Sequence, residues 1–330
     1  MLVVYFMSRN MHIPKIIHHI APADSDSWHP FWHKCRASWQ QQFPDYEFVL
    51  WNDQDDIDTL VKDHYPQYWN LYRAFPVHIM RIDFARLCML HRHGGIYADM
   101  DYYCYQNFES DLQDHDLYFV ENLTEEFTSA TVENSLMAAA PDSSFFLNTM
   151  NYVQACFIQF RNGFKIDSTT NWRSPRFDYY INNTTGSGML SVARESFDPH
   201  YSIGHLNTAE FNNRPSSYSH FHKAKHVHTS LWGEDQVRSD RTREILIANG
   251  NACTMETVPD YARQRLTDTD HVVDFDSYDF YTDYTHDKYL NQDNSNLDQV
   301  KTWIRESEQH TAEIMTQNDT SDNTSNSASR

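Results

Sequence analysis

The sequence predicts an α/β protein in which strands and helices alternate, because two stretches follow that pattern. The first 51 residues contain a strand, a helix and a second strand in succession, which is typical of a parallel β-α-β unit. Farther along, a mostly apolar helix ends at a pair of glycines and leads directly into another strand. Hydrophobic residues make up 40% of the 330 residues, which is enough to bury a large core.

The first unit follows from hydrophobic patterning. Residues 13–20 (IPKIIHHI) predict a strand, and Pro14 lies near its start, where a missing N–H is tolerated. Residues 28–43 predict an aromatic-rich helix, and residues 46–51 (YEFVLW) predict the second strand.

The strongest helix prediction spans residues 78–93. Apolar side chains occupy most sides of this helix, which indicates that it is buried. Asp83 and Arg86 interrupt the apolar run three residues apart and therefore share a face. Gly94-Gly95 ends the helix, and residues 96–99 predict the strand that follows.

The pattern is harder to read after residue 110. The remaining predicted elements are a strand over 117–120, helices over 133–140 and 143–160, a loop entering a helix over 186–196, a strand over 225–231 and a helix over 297–315. The sequence predicts a main domain over 1–240, a C-terminal extension over 241–315 packed on it and a polar, disordered tail over 316–330.

Charge and cysteine content exclude several classes of protein. With 46 acidic and 26 basic residues the formal net charge is −20, so general nucleic-acid binding is not expected. Five cysteines without a C-x-x-C pair predict reduced thiols. Residues 1–7 lack the basic segment of a signal peptide, and no run approaches the roughly 18 apolar residues of a transmembrane helix.

The central feature is the segment 94–101 (GGIYADMD). Side chains two apart on a strand point the same way, so Asp99 and Asp101 converge if the strand runs through them. Two convergent carboxylates suit a hard divalent cation, which can bind a diphosphate and neutralise a leaving group. A bare D-x-D is common by chance, but this one follows a buried helix, a glycine pair and a hydrophobic strand. The alternative is a pair of acids that only solvate a loop.

Asp83 and Arg86 have two interpretations. They could form an ordinary ion pair within the helix, or they could contact sugar hydroxyls and phosphate near the D-x-D segment. The otherwise buried helix favours the second interpretation, because unpaired charges there are costly.

Histidines supply a candidate third metal ligand. His226 and His228 lie two apart on a predicted strand, so either could complete an Asp/Asp/His site, and His228 is preferred. A zinc site formed by His220, His222, His226 and His228 is the alternative, although no H-E-x-x-H motif is present. The sequence also lacks the P-loop, G-x-G-x-x-G and G-x-S-x-G motifs, which disfavours P-loop NTPases, ordinary dinucleotide-binding dehydrogenases and α/β-hydrolases.

Over residues 13–235 the sequence resembles glycosyltransferase family 32. Four segments occur in the order and at the spacing of that family: residues 13–20 (IPKIIHHI), 48–52 (FVLWN), 81–87 (RIDFARL) and 94–101 (GGIYADMD). Looser similarity continues at residues 134–138 (NSLMA), 185–188 (TGSG) and 228–232 (HTSLW).

The resemblance implies a catalytic domain of the GT-A type, with a mixed, mostly parallel sheet flanked by helices. It implies retaining transfer of a hexose from a UDP- or GDP-linked sugar, with Mn²⁺ or Mg²⁺, to a glycan, lipid-linked or protein acceptor. Without a membrane anchor, a cytoplasmic bacterial or viral enzyme is expected, and peripheral association with the inner face of the membrane stays open.

Carried over by position, the resemblance implies roles for five residues. Asp83 and Arg86 would hold the donor sugar and phosphate, and Asn134 would lie near the transferred sugar. Asp99 would contact the sugar or ribose together with the metal, and Asp101 would bind the metal directly.

Further positions follow from the same resemblance. His228, or His226 if the alignment slips, would complete the metal shell. The remaining donor-side positions are Ile20, Ala21, Tyr97, Gly186 and Trp232. Two departures stand out: Ala21 lies where the family usually has Trp, for which Trp28 could substitute, and Ser187 replaces the proline of a T-G-P motif.

Three other functions compete with this one. A phosphatase could use Asp99 and Asp101 as nucleophile and acid, but Tyr103 stands where its motif has Thr or Val. A non-catalytic nucleotide-sugar or carbohydrate-binding protein would bind without turnover. A His-cluster metal hydrolase would require the zinc site described above.

Overall fold

The computed structural model describes residues 12–75, 77–121, 131–163, 175–197, 201–211 and 223–226. The helices are α1 Pro30–Gln42, α2 Asp55–His64, α3 Trp69–Ala74, α4 His78–His93, α5 Ser144–Gly163, α6 Pro175–Thr184, α7 Ser187–Phe197 and α8 Thr208–Phe211. The strands are β1 Ile16–Ala21, β2 Glu47–Asn52, β3 Gly95–Ala98, β4 Tyr102–Cys104, β5 Leu117–Glu121, β6 Val132–Ala139, β7 Ile203–Leu206 and β8 Ala224–His226.

A six-stranded sheet in the order β2-β1-β3-β6-β5-β7 lies at the centre of the described part. β1 pairs in parallel with β2 and β3, and β5 pairs in parallel with β7. β6 runs antiparallel to both of its neighbours, β3 and β5. The predicted α/β architecture, with a mixed, mostly parallel sheet flanked by helices, is therefore confirmed. β4 and β8 form a separate antiparallel pair.

Apolar side chains on both faces of the sheet hold the helices in place. In β3, Ile96 and Ala98 pack in the cluster that contains Trp39 of α1. Tyr97 packs on the opposite face, in the cluster that contains Phe84 of α4. Full burial of one such large apolar side chain contributes roughly 1.5–3 kcal/mol, so this packing fixes α4 firmly against the sheet.

Two glycines make the turn from α4 into β3, with φ angles of +63° at Gly94 and +90° at Gly95. The N–H of Gly94 donates to the carbonyl oxygen of Leu90 at 3.0 Å and closes the helix. A Cβ atom on Gly95 would lie 2.5 Å from the carbonyl oxygen of Ile16. Because no side chain fits there, glycine is what allows β3 to lie close against β1.

One predicted helix is wrong. The segment 133–140 belongs to a strand, since β6 spans Val132–Ala139. Its Leu, Met and Ala residues favour a helix locally, and a short apolar run cannot be assigned by periodicity alone. The position of β6 between β3 and β5 overrides that preference. In addition, α6 lies in a polar stretch for which the sequence pattern predicts no helix or strand.

Of the other predictions, some agree with the structure and some concern residues that the structure does not describe. The helix over 78–93 matches α4 in both bounds. The four described cysteines are buried free thiols, in agreement with the predicted reduced state. Within the described ranges, no helix is both long enough and apolar enough to cross a bilayer. The predicted extension 241–315, the tail 316–330 and residues 227–231 of the last predicted strand lie outside the described residues.

Candidate functional site

A turn, and not a strand, brings the two aspartates of the D-x-D motif together. β3 ends at Ala98, and the N–H of Asp99 donates to the carbonyl oxygen of Ser135 at 2.8 Å. The N–H of Tyr102 then donates to the carbonyl oxygen of Asp99 at 3.0 Å. A strand running through both aspartates, the condition for their alignment in the sequence argument, is therefore absent here, and the two carboxylates converge through the turn instead.

The third member of the group comes from β8. Asp99, Asp101 and His226 each offer a ligand atom, and the three atoms lie within 4.8 Å of one another. Tyr102 pairs with His226 across the β4–β8 ladder, and the two rings stack with centroids 5.2 Å apart. The Nε2 atom of His226 lies 3.1 Å from Oδ1 of Asp101. In the part of the chain that is described, this is the one cluster of three such ligands.

The carboxylates govern the protonation of His226. Burial is the largest single influence and would lower the pKa of His226. The charge and hydrogen bond of Asp101, together with the charges of Asp99 and Glu133, outweigh burial and raise the pKa to about 9. Burial also raises the pKa of Asp99, a rise that the guanidinium of Arg86 opposes. Two carboxylates and an imidazole are a mixed oxygen and nitrogen donor set that suits Mn²⁺, so the residues present fit a divalent cation. His228, the preferred candidate from the sequence, lies outside the described residues, as do His220 and His222.

Arg86 connects α4 to the D-x-D turn. One terminal nitrogen lies 3.3 Å from Oδ1 of Asp83 and 3.4 Å from Oδ1 of Asp99. The other donates to the carbonyl oxygen of Asn134 at 2.8 Å, and the guanidinium lies over the ring of Tyr97, 4.8 Å from its centroid. The hydroxyl of Tyr97 donates to Oδ1 of Asp99 at 2.6 Å. The ion pair between Asp83 and Arg86 inside α4 therefore exists, and Arg86 also contacts Asp99 of the D-x-D turn.

Asp83 is buried and has protein partners on both carboxyl oxygens. Asn134 Nδ2 donates to Oδ1 at 2.9 Å, and the Thr185 hydroxyl donates to Oδ2 at 2.9 Å. Burial raises the pKa of Asp83, and the neighbouring charge of Arg86 opposes the rise. Asp83 thus holds Asn134 and the Thr185 loop in fixed positions beside Arg86.

Asn134 lies where the pairing of β6 with β5 shifts in register. Phe119 pairs with Met137 and Val120 pairs with Glu133, so residues 134–136 have no partner in β5. Bulges of this kind redirect side chains and are frequent beside active sites. The Ser187 hydroxyl lies 3.1 Å from Oδ1 of Asn134, and Gly186 precedes it in the loop that enters α7.

The end of β1 lies on the other side of the D-x-D turn. Ala21 packs in a small cluster with Trp28 and Met100, the central residue of the motif. Trp28 is buried, and its indole N–H donates to the carbonyl oxygen of Pro22 at 2.8 Å. The indole therefore lies beside Ala21, where the sequence anticipated a substitute for the missing Trp. Ile20 packs in the main cluster, with Phe84 and Tyr97.

The structure thus brings most of the predicted site residues into one network: Asp83, Arg86, Tyr97, Asp99, Asp101 and Asn134, with Gly186 in the adjoining loop. Ala21 adjoins this network through Met100, Ile20 lies in the core beside it, and Trp232 lies outside the described residues.

Sequence reasoning missed two residues at this site. His19 contacts the carbonyl oxygen of Ala98 through Nδ1 at 2.8 Å and thereby ties the end of β1 to the residue before Asp99. A pair of histidines inside an apolar strand was the available signal. Glu133, whose carboxylate lies 3.4 Å from the Ser187 hydroxyl, carried no signal because its segment was read as a helix.

Part of the amino-acid sequence matches a family of known proteins. Residues 30–119 match the family described as the glycosyltransferase sugar-binding region containing a DXD motif. The matched stretch includes α4 and the D-x-D turn, and therefore Asp83, Arg86, Asp99 and Asp101.

The printed names of two curated relatives refer to a mannosyl product or to mannosyl transfer. The chain is 30% identical over 138 residues to the mannosyl phosphorylinositol ceramide synthase CSH1 of Saccharomyces cerevisiae, a match that covers 42% of this chain and 34% of the relative. It is 33% identical over 99 residues to the inositol phosphoceramide mannosyltransferase 3 of Schizosaccharomyces pombe, covering 30% of this chain and 27% of the relative. The matches thus span about a third of each relative's length or less.

Among solved structures, the ligand-free glycosyltransferase domain from the YGT toxin aligns with a TM-score of 0.43 at 10% identity. That alignment covers 80% of this chain and 95% of the toxin domain.

Proposed function

We propose that this chain, whose residues 30–119 match the family of DXD-containing glycosyltransferase sugar-binding regions, is a metal-dependent retaining glycosyltransferase. Its donor is a hexose linked to UDP or GDP, and its acceptor is a glycan, a lipid-linked molecule or a protein. The names of the relatives favour mannose as the transferred sugar and an inositol phosphoceramide as the first acceptor to test.

One observation carries the proposal. The ligand atoms of Asp99, Asp101 and His226 lie within 4.8 Å of one another, and Arg86 lies 3.4 Å from Asp99. A divalent cation in this group and the adjacent guanidinium are complementary to a diphosphate, which carries its charge on both phosphates. A phosphatase or a simple surface acid pair would not need a buried arginine held against the same carboxylate.

The residues on the α4 side suit the sugar. Asn134 is held by Asp83 and by the Ser187 hydroxyl, so its amide is oriented before any substrate arrives. Thr185 and Ser187 add hydroxyl groups to the same wall. Groups fixed in this way place a substrate without a further loss of side-chain entropy, which is how positioning lowers a reaction barrier.

The mechanism follows from these positions. When bound, the metal supplies positive charge that offsets the charge growing on the departing diphosphate. Arg86 offsets more of that charge, and Tyr97 and Asp99 keep Arg86 in place. The acceptor hydroxyl approaches the anomeric carbon on the face from which the diphosphate leaves, and a leaving phosphate oxygen takes its proton. Electrostatic stabilisation and positioning then provide most of the rate enhancement.

The test is hydrolysis of the donor, which needs no knowledge of the acceptor. GDP-mannose and a set of UDP-hexoses are incubated with the full chain and Mn²⁺, and release of the free sugar is measured. The wild-type protein should hydrolyse at least one donor, and Asp101→Asn should lose that activity. Asp45→Asn, which changes an exposed aspartate outside the site, is the matched control.

The outcomes separate the alternatives. Metal-dependent binding of a donor without any turnover would support a non-catalytic sugar-nucleotide-binding protein and contradict the proposal. Full activity in Asp101→Asn would refute the role of the D-x-D turn. Retention is tested by the anomeric configuration of the first sugar product, read by nuclear magnetic resonance.

A further inference from the structure

Glu133 adds a third carboxylate near the metal-ligand group without belonging to it. It lies at the start of β6, next to Asn134, and is half-buried. Its Oε2 atom lies 3.4 Å from the Ser187 hydroxyl, which also contacts Oδ1 of Asn134 at 3.1 Å. Its carboxylate therefore lies close to the side chain that the proposed function places beside the transferred sugar.

The charge of Glu133 also reaches the metal side of the site. Its negative charge is among the influences that raise the pKa of His226 and of Tyr102. The three grouped ligands are Asp99, Asp101 and His226, so Glu133 stands apart from them. Glu133 thus lies within electrostatic range of the metal ligands on one side and next to Asn134 on the other.

This location is unfavourable for binding the donor. A diphosphate is anionic, and Asp99 and Asp101 already supply two negative charges next to it. A further carboxylate on this side of the site repels the diphosphate and weakens binding.

The same charge is favourable in the transition state. When the bond to the diphosphate breaks, positive charge develops on the anomeric carbon and ring oxygen of the sugar. A carboxylate beside the sugar stabilises that charge, which is absent from the bound donor. An interaction that is stronger in the transition state than in the ground state raises the rate, even where it weakens substrate binding.

We propose that Glu133 stabilises the positive charge that develops on the transferred sugar. This inference rests on the proposed glycosyl transfer and adds a residue to it. The competing explanation is structural: a carboxylate near the first residue of α7 interacts favourably with the helix N-terminus and with Ser187.

The experiment compares Glu133→Gln with the wild-type full chain. Gln keeps the size and the hydrogen-bonding capacity of the side chain and removes the charge. The measurements are kcat and KM for Mn²⁺-dependent donor hydrolysis, the Kd of UDP and GDP with Mn²⁺ by calorimetry, and the melting temperature. Glu133→Asp retains the charge, and Glu121→Gln changes a glutamate of β5 whose side chain lies near His205.

We expect the substitution to lower the catalytic rate without weakening the binding of the donor or the nucleotide. Glu133→Gln should lower kcat by about tenfold to a hundredfold, while KM and the Kd of the nucleoside diphosphate stay equal or decrease. Glu133→Asp should recover part of kcat, and Glu121→Gln should behave as the wild type. The melting temperature should change little.

Three results would overturn the inference. An unchanged kcat in Glu133→Gln, alongside an active wild-type protein, would remove Glu133 alone and leave the proposed function intact. A fall in kcat that is matched by weaker nucleotide binding and a lower melting temperature would assign Glu133 a structural role. No turnover of any donor by the wild-type protein would refute the proposed function, and the role of Glu133 with it.

Discussion

The Nε2 atom of His226 lies 3.1 Å from Oδ1 of Asp101, although 125 positions separate the two residues in the sequence. The antiparallel pairing of β8 with β4 is responsible, because β4 begins immediately after the D-x-D turn. The short β4–β8 sheet thus carries one side of the candidate metal site.

Removing His226 should weaken metal binding without unfolding the protein. We expect His226→Ala to raise the Kd for Mn²⁺ by at least roughly 10–100-fold, because one of three direct ligands is lost and loss of an outer-shell partner alone costs that much. Calorimetric titration of the nucleotide-free protein with Mn²⁺ measures this directly. His12→Ala, at an exposed position outside the site, is the control. An unchanged Kd in His226→Ala would exclude this residue as a ligand.

Replacing Arg86 should damage both stability and activity. Arg86→Ala leaves the carboxylates of Asp83 and Asp99 without their buried counter-charge, which should cost about 3–5 kcal/mol of unfolding free energy. Arg86→Lys keeps the charge but loses the fork of donors that spans Asp99 and the Asn134 carbonyl. We therefore expect Arg86→Lys to fold and to lose most donor hydrolysis. Urea unfolding and the hydrolysis assay check the two expectations, and an active Arg86→Lys protein would contradict them.

Stability should fall as the pH decreases, because two histidines of β1 are buried in the neutral form. Burial lowers the pKa of His18 and of His19 from 6.5 to about 4. The Trp51 indole N–H donates to Nδ1 of His18, and Nε2 of His18 contacts the carbonyl oxygen of Gly94 at 2.9 Å, so a second proton would disrupt the first bond.

The sign follows from proton linkage. Between about pH 6.5 and pH 4 the unfolded chain binds protons that the folded protein excludes, so the free energy of unfolding decreases as the pH falls. Asp83 and Asp99 act in the opposite direction, because burial raises their pKa values. Urea unfolding at about pH 7 and about pH 5 should therefore show a smaller loss of stability in His18→Gln than in the wild type. An equal loss would show that His18 does not contribute.

Gly95→Ala should disturb the sheet and the site together. The φ angle of +90° is unfavourable for alanine, and the added Cβ would lie 2.5 Å from the carbonyl oxygen of Ile16. We expect a loss of at least about 1–3 kcal/mol from backbone strain, with a further loss from the steric contact. Because β3 leads directly to Asp99, donor hydrolysis should fall as well. A variant with wild-type melting temperature and activity would contradict this account of the junction.

The sequence predicts a local feature correctly where one pattern, such as an apolar helix followed by glycine, outweighs the others. The bounds of α4 follow from its apolar residues and its glycine stop. The convergence of Asp99 and Asp101 is expected from the sequence, although a turn and not a strand produces it. β6 was misread because its Leu, Met and Ala residues favour a helix, while its neighbours in the sheet decide the outcome.

Long-range relationships were not readable. His226 and His228 share a face of any strand, so periodicity alone could not choose between them, and the register of β8 on β4 is what brings His226 to Asp101. Nothing local marks Thr185 as a partner of Asp83, because α6 and α7, which flank its loop, determine where it lies. The register shift beside Asn134 likewise depends on the pairing of β6 with β5, which local sequence does not reveal.

The placement of β8 also bears on how the protein matures on the ribosome. All six strands of the large sheet have been synthesised once Leu206 emerges, whereas His226 belongs to the small sheet and emerges later. The scaffold can therefore assemble before the third ligand is available. Newly made chains should therefore acquire their capacity to capture the cation only after all strands of the large sheet have been synthesised.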